Sequence, residues 1–218
     1  PMSPQSPSLL MQIVLMLKPW LTVLLPLLCA LVPAVIYTRG RRQGRYGALG
    51  RTLDRLLPAS AGFHVYHDLE FTTATGESVR IEHLVLASSG VYPLVSEHLS
   101  GEVLADTHTE HWRRMLHGRE QAIANPLPRV YGAADLVCTA LGVAPESVHP
   151  LLVVTGVTRL AMPPSRVAVF LSPQSACAAV RDRLNLAFHD GDLQTLRARL
   201  DAARSGEQPL LALAHQRG

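Results

Sequence analysis

Cysteines, aromatic residues and nucleophile motifs are scarce in this chain, and each scarcity removes a class of function. The three cysteines, Cys29, Cys138 and Cys177, are odd in number, far apart and without C-x-x-C spacing. That argues against a disulfide framework or a cysteine-based zinc site, and fits a reducing compartment. Aromatics make up 5% of the residues, which gives little support for a large aromatic-rich interface. No G-x-S-x-G, Walker loop, G-x-G-x-x-G or H-E-x-x-H occurs, so the common nucleophile, nucleotide and zinc-protease signatures are missing. Excess charge is small: the net value is +3, with much of it in one run, Arg39, Arg41, Arg42 and Arg45. The remainder is close to balanced, so a pI near 9.0 does not mark a nucleic-acid surface.

What the chain does have is a long apolar run. From Leu9 to Tyr37 the single charged residue is Lys18, and Pro19–Tyr37 carries no charge over 19 residues, about the length a hydrocarbon core requires. Trp20 and Tyr37 flank it as interfacial aromatics do, and membrane helices tolerate prolines such as Pro26 and Pro33. A cleaved signal would place its positive charge before the apolar stretch; here the arginines follow it, and no A-x-A site precedes them. Leu28 stands before Cys29 where lipoprotein processing needs a small residue. The expectation is therefore an N-terminal segment at 1–18, a single transmembrane helix at 19–38, a basic juxtamembrane linker at 39–48 and one domain at 49–218. By the positive-inside rule, Arg39, Arg41, Arg42 and Arg45 place that domain on the cytoplasmic side of a bacterial inner membrane. Pro1, ahead of Met2, is set aside from fold reasoning.

Within the domain, Leu49, Leu53, Leu56 and Leu57 fall on one face of a short helix that Pro58 ends. Phe63–Leu69 and Ser78–Ala87 read as strands, with a turn around Gly76 between them. Ser88-Ser89-Gly90 then turns into a hairpin partner at Val91–Ser96, distorted or near an edge at Pro93. Gly101–Leu104 adds a short strand, and a polar, His-rich connection carries Trp112. Asn125-Pro126 opens a helix to about Leu141, Pro150–Thr155 is a strand buried on both faces, and helices close the chain near 174–186 and 193–203. That order predicts a mixed sheet flanked by helices on both sides.

Several short motifs occur in a telling order: Gly47 and Gly50 at a helix, Ile81-Glu82-His83 in a strand, Gly90-Val91-Tyr92 at a hairpin, Gly101, Trp112, and Asn125-Pro126-Leu127. Over about residues 46–142 this resembles the NERD, or nuclease-related, domain of the restriction-endonuclease-like PD-(D/E)xK superfamily. The resemblance implies a site in which carboxylates from the first helix and two strands hold Mg²⁺, which polarises a phosphodiester and activates water while a lysine supports the developing charge. Mapped residue by residue, the helix acid falls at Arg51, the strand acid at Glu82, and the E-x-K glutamate and lysine at Val95 and Glu97. The glutamine expected soon after Asn-Pro falls at Arg129. Of these, Glu82 alone keeps its chemical type.

Two readings of that pattern follow. In one, the site is a fossil, Arg51 pairs with Glu97 across the former metal cavity, and no cofactor is needed. The chain then serves as a membrane-tethered, nuclease-like binding or structural subunit of a membrane-associated complex, linked to DNA handling or transfer. In the other, Glu82 and Glu97 form a displaced catalytic pair that holds Mg²⁺ with help from His83 or His98, giving an active membrane-tethered nuclease. A third alternative is a purely structural subunit whose anchor packs among other membrane helices. The implied partners are the membrane, proteins of a membrane complex and, with the weakest support, nucleic acid. His108, His111 and His117 read as a solvated polar loop rather than a metal site, and Arg113, Arg114 and Arg119 as a mixed surface interrupted by Glu110 and Glu120.

Overall fold

The computed structural model describes residues 47–72, 78–205 and 210–211, so the anchor at 19–38, the arginines at 39–45 and the Gly76 turn lie outside it. Among the described residues, no helix is long and apolar enough to cross a membrane.

Helix α1 (Gly47–Leu56) buries Leu49 and Leu53 on one face, with Leu57 completing the stripe and Pro58 ending the helix as expected. A 3-10 turn at Ala59–Ala61 leads into β1 (His64–Thr72), followed by β2 (Ser78–Ala87), β3 (Gly90–Leu104), β4 (His111–Leu116) and β5 (Arg119–Ala124). Helix α2 (Leu127–Leu141) is followed by β6 (Leu151–Ala161), β7 (Ala168–Phe170), α3 (Pro173–Arg181), α4 (Asp190–Ser205) and β8 (Leu210–Leu211).

The strands form one mixed sheet in the order β5-β4-β3-β2-β1-β8, with β6 on β3 and β7 on β6. The length of β3 makes this possible. Gly90–Leu94 holds β2 antiparallel, Glu102–Leu104 holds β4, and β6 runs parallel to β3 from Leu94 onward. Strand alternation then divides the core between two faces. Val85, Ala87, Tyr92 and Leu94 pack with α1 and α3. Leu84, Leu86 and Val91 pack with α2 and α4, and Val95, Leu152 and Val154 extend the α2 side. The mixed sheet flanked by helices is as the residue pattern predicted.

Three local expectations need correction. The strand at 91–96 and the short strand at 101–104 are one 15-residue strand, bent by a register shift between His98 and Gly101. Pro93 therefore lies in an interior strand; its missing N–H falls between the isolated Val91–Val148 bridge and the start of the β6 ladder at Leu94. The connection around Trp112 is a hairpin, not a polar loop. Its turn, His117-Gly118, has φ of 50° and 73°, the two positive values of a type I′ turn.

Candidate functional site: a charged cleft over the sheet

Beside α2, a cleft of about 440 Å³ is lined by Glu82 from β2, Val95 from β3 and Arg129 from α2, with Ile81, Ala133 and Leu136 among its apolar walls. Glu97 lies on the same side of β3 as Val95, which packs with α2, and Glu82 lines the cleft from β2. There the Glu97 carboxylate accepts from the Arg129 guanidinium at 2.7 Å, and the Glu82 carboxylate accepts from the Ser96 hydroxyl at 2.9 Å. A second Arg129 contact reaches the Ser96 carbonyl at 3.4 Å. Glu82 and Glu97 are thus joined through Ser96 and Arg129.

Glu97 pairs with Arg129, not with Arg51. The reason is the sheet: α1 packs on the face that Leu94 presents, whereas Glu97 points to the opposite face, and Arg51 is an exposed residue of α1. His83 likewise does not assist Glu82, because its ring is engaged with His67. It is 3% exposed against the α1 face, its Nδ1 lies 2.8 Å from Nδ1 of His67, and Nε2 of His67 lies 3.0 Å from Asp54. Burial, and then the neighbouring His67, push the His83 pKa down to about 4, so the ring is neutral at neutral pH. His98 turns instead to the Thr155 hydroxyl, at 3.1 Å.

The donor set does not fit a divalent cation. Of the strand positions facing the cleft, one is the hydrocarbon Val95, and Oε1 of Glu97 is already paired with a guanidinium. Among the described residues, no group of three or more His, Cys, Asp or Glu side chains could hold a metal ion, and that includes the histidines flanking Trp112.

The remaining motif residues build the frame. Trp112 is fully buried and donates through Nε1 to the Asp106 carbonyl at 2.8 Å. Asn125 donates to the same carbonyl at 3.2 Å and to that of Thr109 at 2.7 Å, while its Oδ1 accepts from Leu127 N at 2.9 Å. One Trp and one Asn therefore clamp the 105–110 loop and start α2 after Pro126, which places Arg129 one turn into the cleft. Gly101 has φ +86°, and a Cβ there would come within 2.2 Å of the Met115 carbonyl; at Gly90 a Cβ would meet His149 at 2.7 Å. Gly50 is buried in α1. The Arg129–Glu97 and Ser96–Glu82 contacts were not foreseen, and the one available signal was the opposite charge standing at two positions of a single mapped site.

Comparison with known proteins shows the family of the domain. A family model described as a nuclease-related domain (NERD) matches residues 43–155, more than half of the chain. An uncharacterized protein of Bacillus anthracis is 25% identical over 81 residues, which cover 37% of this chain and 37% of that relative. No solved structure matches.

Proposed function

The chain belongs to the nuclease-related domain family, and from that premise we propose that it is a membrane-anchored, restriction-endonuclease-like domain whose cleft binds rather than cleaves. The observation that supports this reading is the Arg129–Glu97 pair, which involves the residue that the family resemblance maps to the catalytic lysine. A guanidinium satisfies the carboxylate without activating water, and Val95 removes one ligand outright. The cleft has a basic group and an apolar wall, which suits contact with a partner or with nucleic acid inside a membrane complex. In this reading residues 19–38 tether the domain, and Arg39, Arg41, Arg42 and Arg45 hold it on the cytoplasmic side.

The test has a built-in positive control. Mg²⁺ and Mn²⁺ are titrated calorimetrically into the full chain and into a quadruple variant, Arg51→Glu and Val95→Glu with Glu97→Lys and Arg129→Gln, which restores the residue types of the family pattern. The expected result is no binding by the natural chain at millimolar metal, and binding by the quadruple variant that a further Glu82→Gln removes. Metal-dependent DNA cleavage by the natural chain, lost in Glu82→Gln, would overturn this reading in favour of a displaced Glu82/Glu97 nuclease.

A further inference from the structure

A second pocket, of about 260 Å³, shares no lining residue with the cleft. It lies where the end of α1, the start of β1 and α4 meet. The outer edge of β1 is open there among the described residues, since β8 pairs with Phe71 and Thr72 at the other end of the strand. Leu57, Phe63 and Val65 contribute apolar wall. Helix α4 presents Arg197, Asp201 and Arg204, spaced four and seven apart and so on one helix face.

The charges in this pocket are not equally free. Both carboxylates are engaged. Asp54 lies 3.0 Å from Nε2 of His67, while Asp201 accepts from the Tyr66 hydroxyl at 3.0 Å and sits 3.5 Å from Nε of Arg197. Tyr66 is itself buried, and both burial and the Asp201 contact raise its pKa, so its proton stays on the hydroxyl and points at Asp201. What remains available are donors: the Arg204 guanidinium, the terminal nitrogens of Arg197 and the His64 imidazole. Spare N–H donors beside carboxylates that already have partners suit an anion. Two planar guanidiniums on one helix face suit the tetrahedral oxygens of a phosphoryl group.

We propose that this pocket binds the phosphate of a nucleotide or phosphorylated strand end. Arg204 and Arg197 supply the charge, His64 adds an N–H, and Leu57 with Phe63 flanks the sugar or base. Asp201 acts as a positioning residue, holding Arg197 and Tyr66 in place. The proposal stands on this geometry alone and does not depend on what the cleft does.

The experiment is calorimetric titration of the full chain, in detergent, with inorganic phosphate and then with a 5′-phosphorylated thymidine dinucleotide and its unphosphorylated twin. The phosphorylated form is expected to bind at least about tenfold tighter than its twin. Arg204→Gln should abolish that preference, Arg204→Lys should keep part of it, and Arg129→Gln in the cleft should leave it intact. Equal binding of the two dinucleotides would overturn the proposal. So would a preference that survives Arg204→Gln combined with Arg197→Gln, or one that disappears with Arg129→Gln.

Discussion

At the scale of single residues, the motif side chains divide into those that shape the cleft and those that hold the frame, and their energies differ accordingly. The Arg129–Glu97 pair is 54% and 30% exposed, so a double-mutant cycle should return no more than ~1 kcal/mol. Trp112, by contrast, is fully buried; Trp112→Ala should cost ~3–5 kcal/mol in chemical unfolding, and Trp112→Phe about 1, mainly for the lost Asp106 hydrogen bond. His83 makes stability depend on pH. Its pKa falls from 6.5 in the unfolded chain to about 4 in the fold. Folding thus favours the neutral ring, and that contribution is complete above pH 6.5 and is lost as pH falls toward 4, on the order of 3 kcal/mol in all. Urea midpoints measured between pH 7 and 4 should drop accordingly, and His83→Gln should flatten the drop; an unchanged slope in that variant would assign it to other groups. The Glu82 position was legible from its strand context. The partner of Glu97 was not, because Arg129 lies 32 residues away and nothing in the chain's order says which sheet face α1 covers.

At the scale of elements, legibility followed hydrophobic periodicity. Helices α1 and α2 bury regular apolar stripes and strand β2 ends in a continuous buried run, and their limits could be read closely. The β4–β5 hairpin could not, because five of the six β5 residues are exposed and charged side chains hide the alternation. The cue that remained was His117-Gly118, a turn of a type that demands positive φ at both positions. The long bent β3 reads as two pieces in the sequence because Gly101 looks like a break. It is instead where the strand shifts register against β6 while β4 passes close by. Gly101→Ala should therefore destabilise by ~2–4 kcal/mol, since it combines a left-handed φ with a clash against the Met115 backbone. Gly132→Ala in α2, where a Cβ would meet nothing within 4 Å, should instead stabilise by ~0.5–1 kcal/mol. Comparing the thermal midpoints of the two variants separates a glycine required by the backbone from one that is not.

At the scale of the molecule, the question is whether the chain associates with a membrane and through which part. The described residues contain no helix able to cross a bilayer. Their exposed apolar side chains, such as Leu104, Leu171, Leu184 and Leu186, are separated in sequence and do not make an apolar run. Pro19–Tyr37, with no charge over 19 residues and four arginines just beyond it, is the segment whose composition matches the thickness of a hydrocarbon core. If it anchors the chain, the cost of placing arginine at its centre is ~2.5–3.5 kcal/mol per substitution, enough in pairs to prevent insertion. Leu24→Arg with Leu28→Arg should then release the chain from carbonate-washed membranes, while Leu184→Arg with Leu186→Arg on the domain should not. The reverse pattern would move the contact to the loop after α3. Retention of all variants would leave protein partners, rather than lipid, as what holds the chain at the membrane.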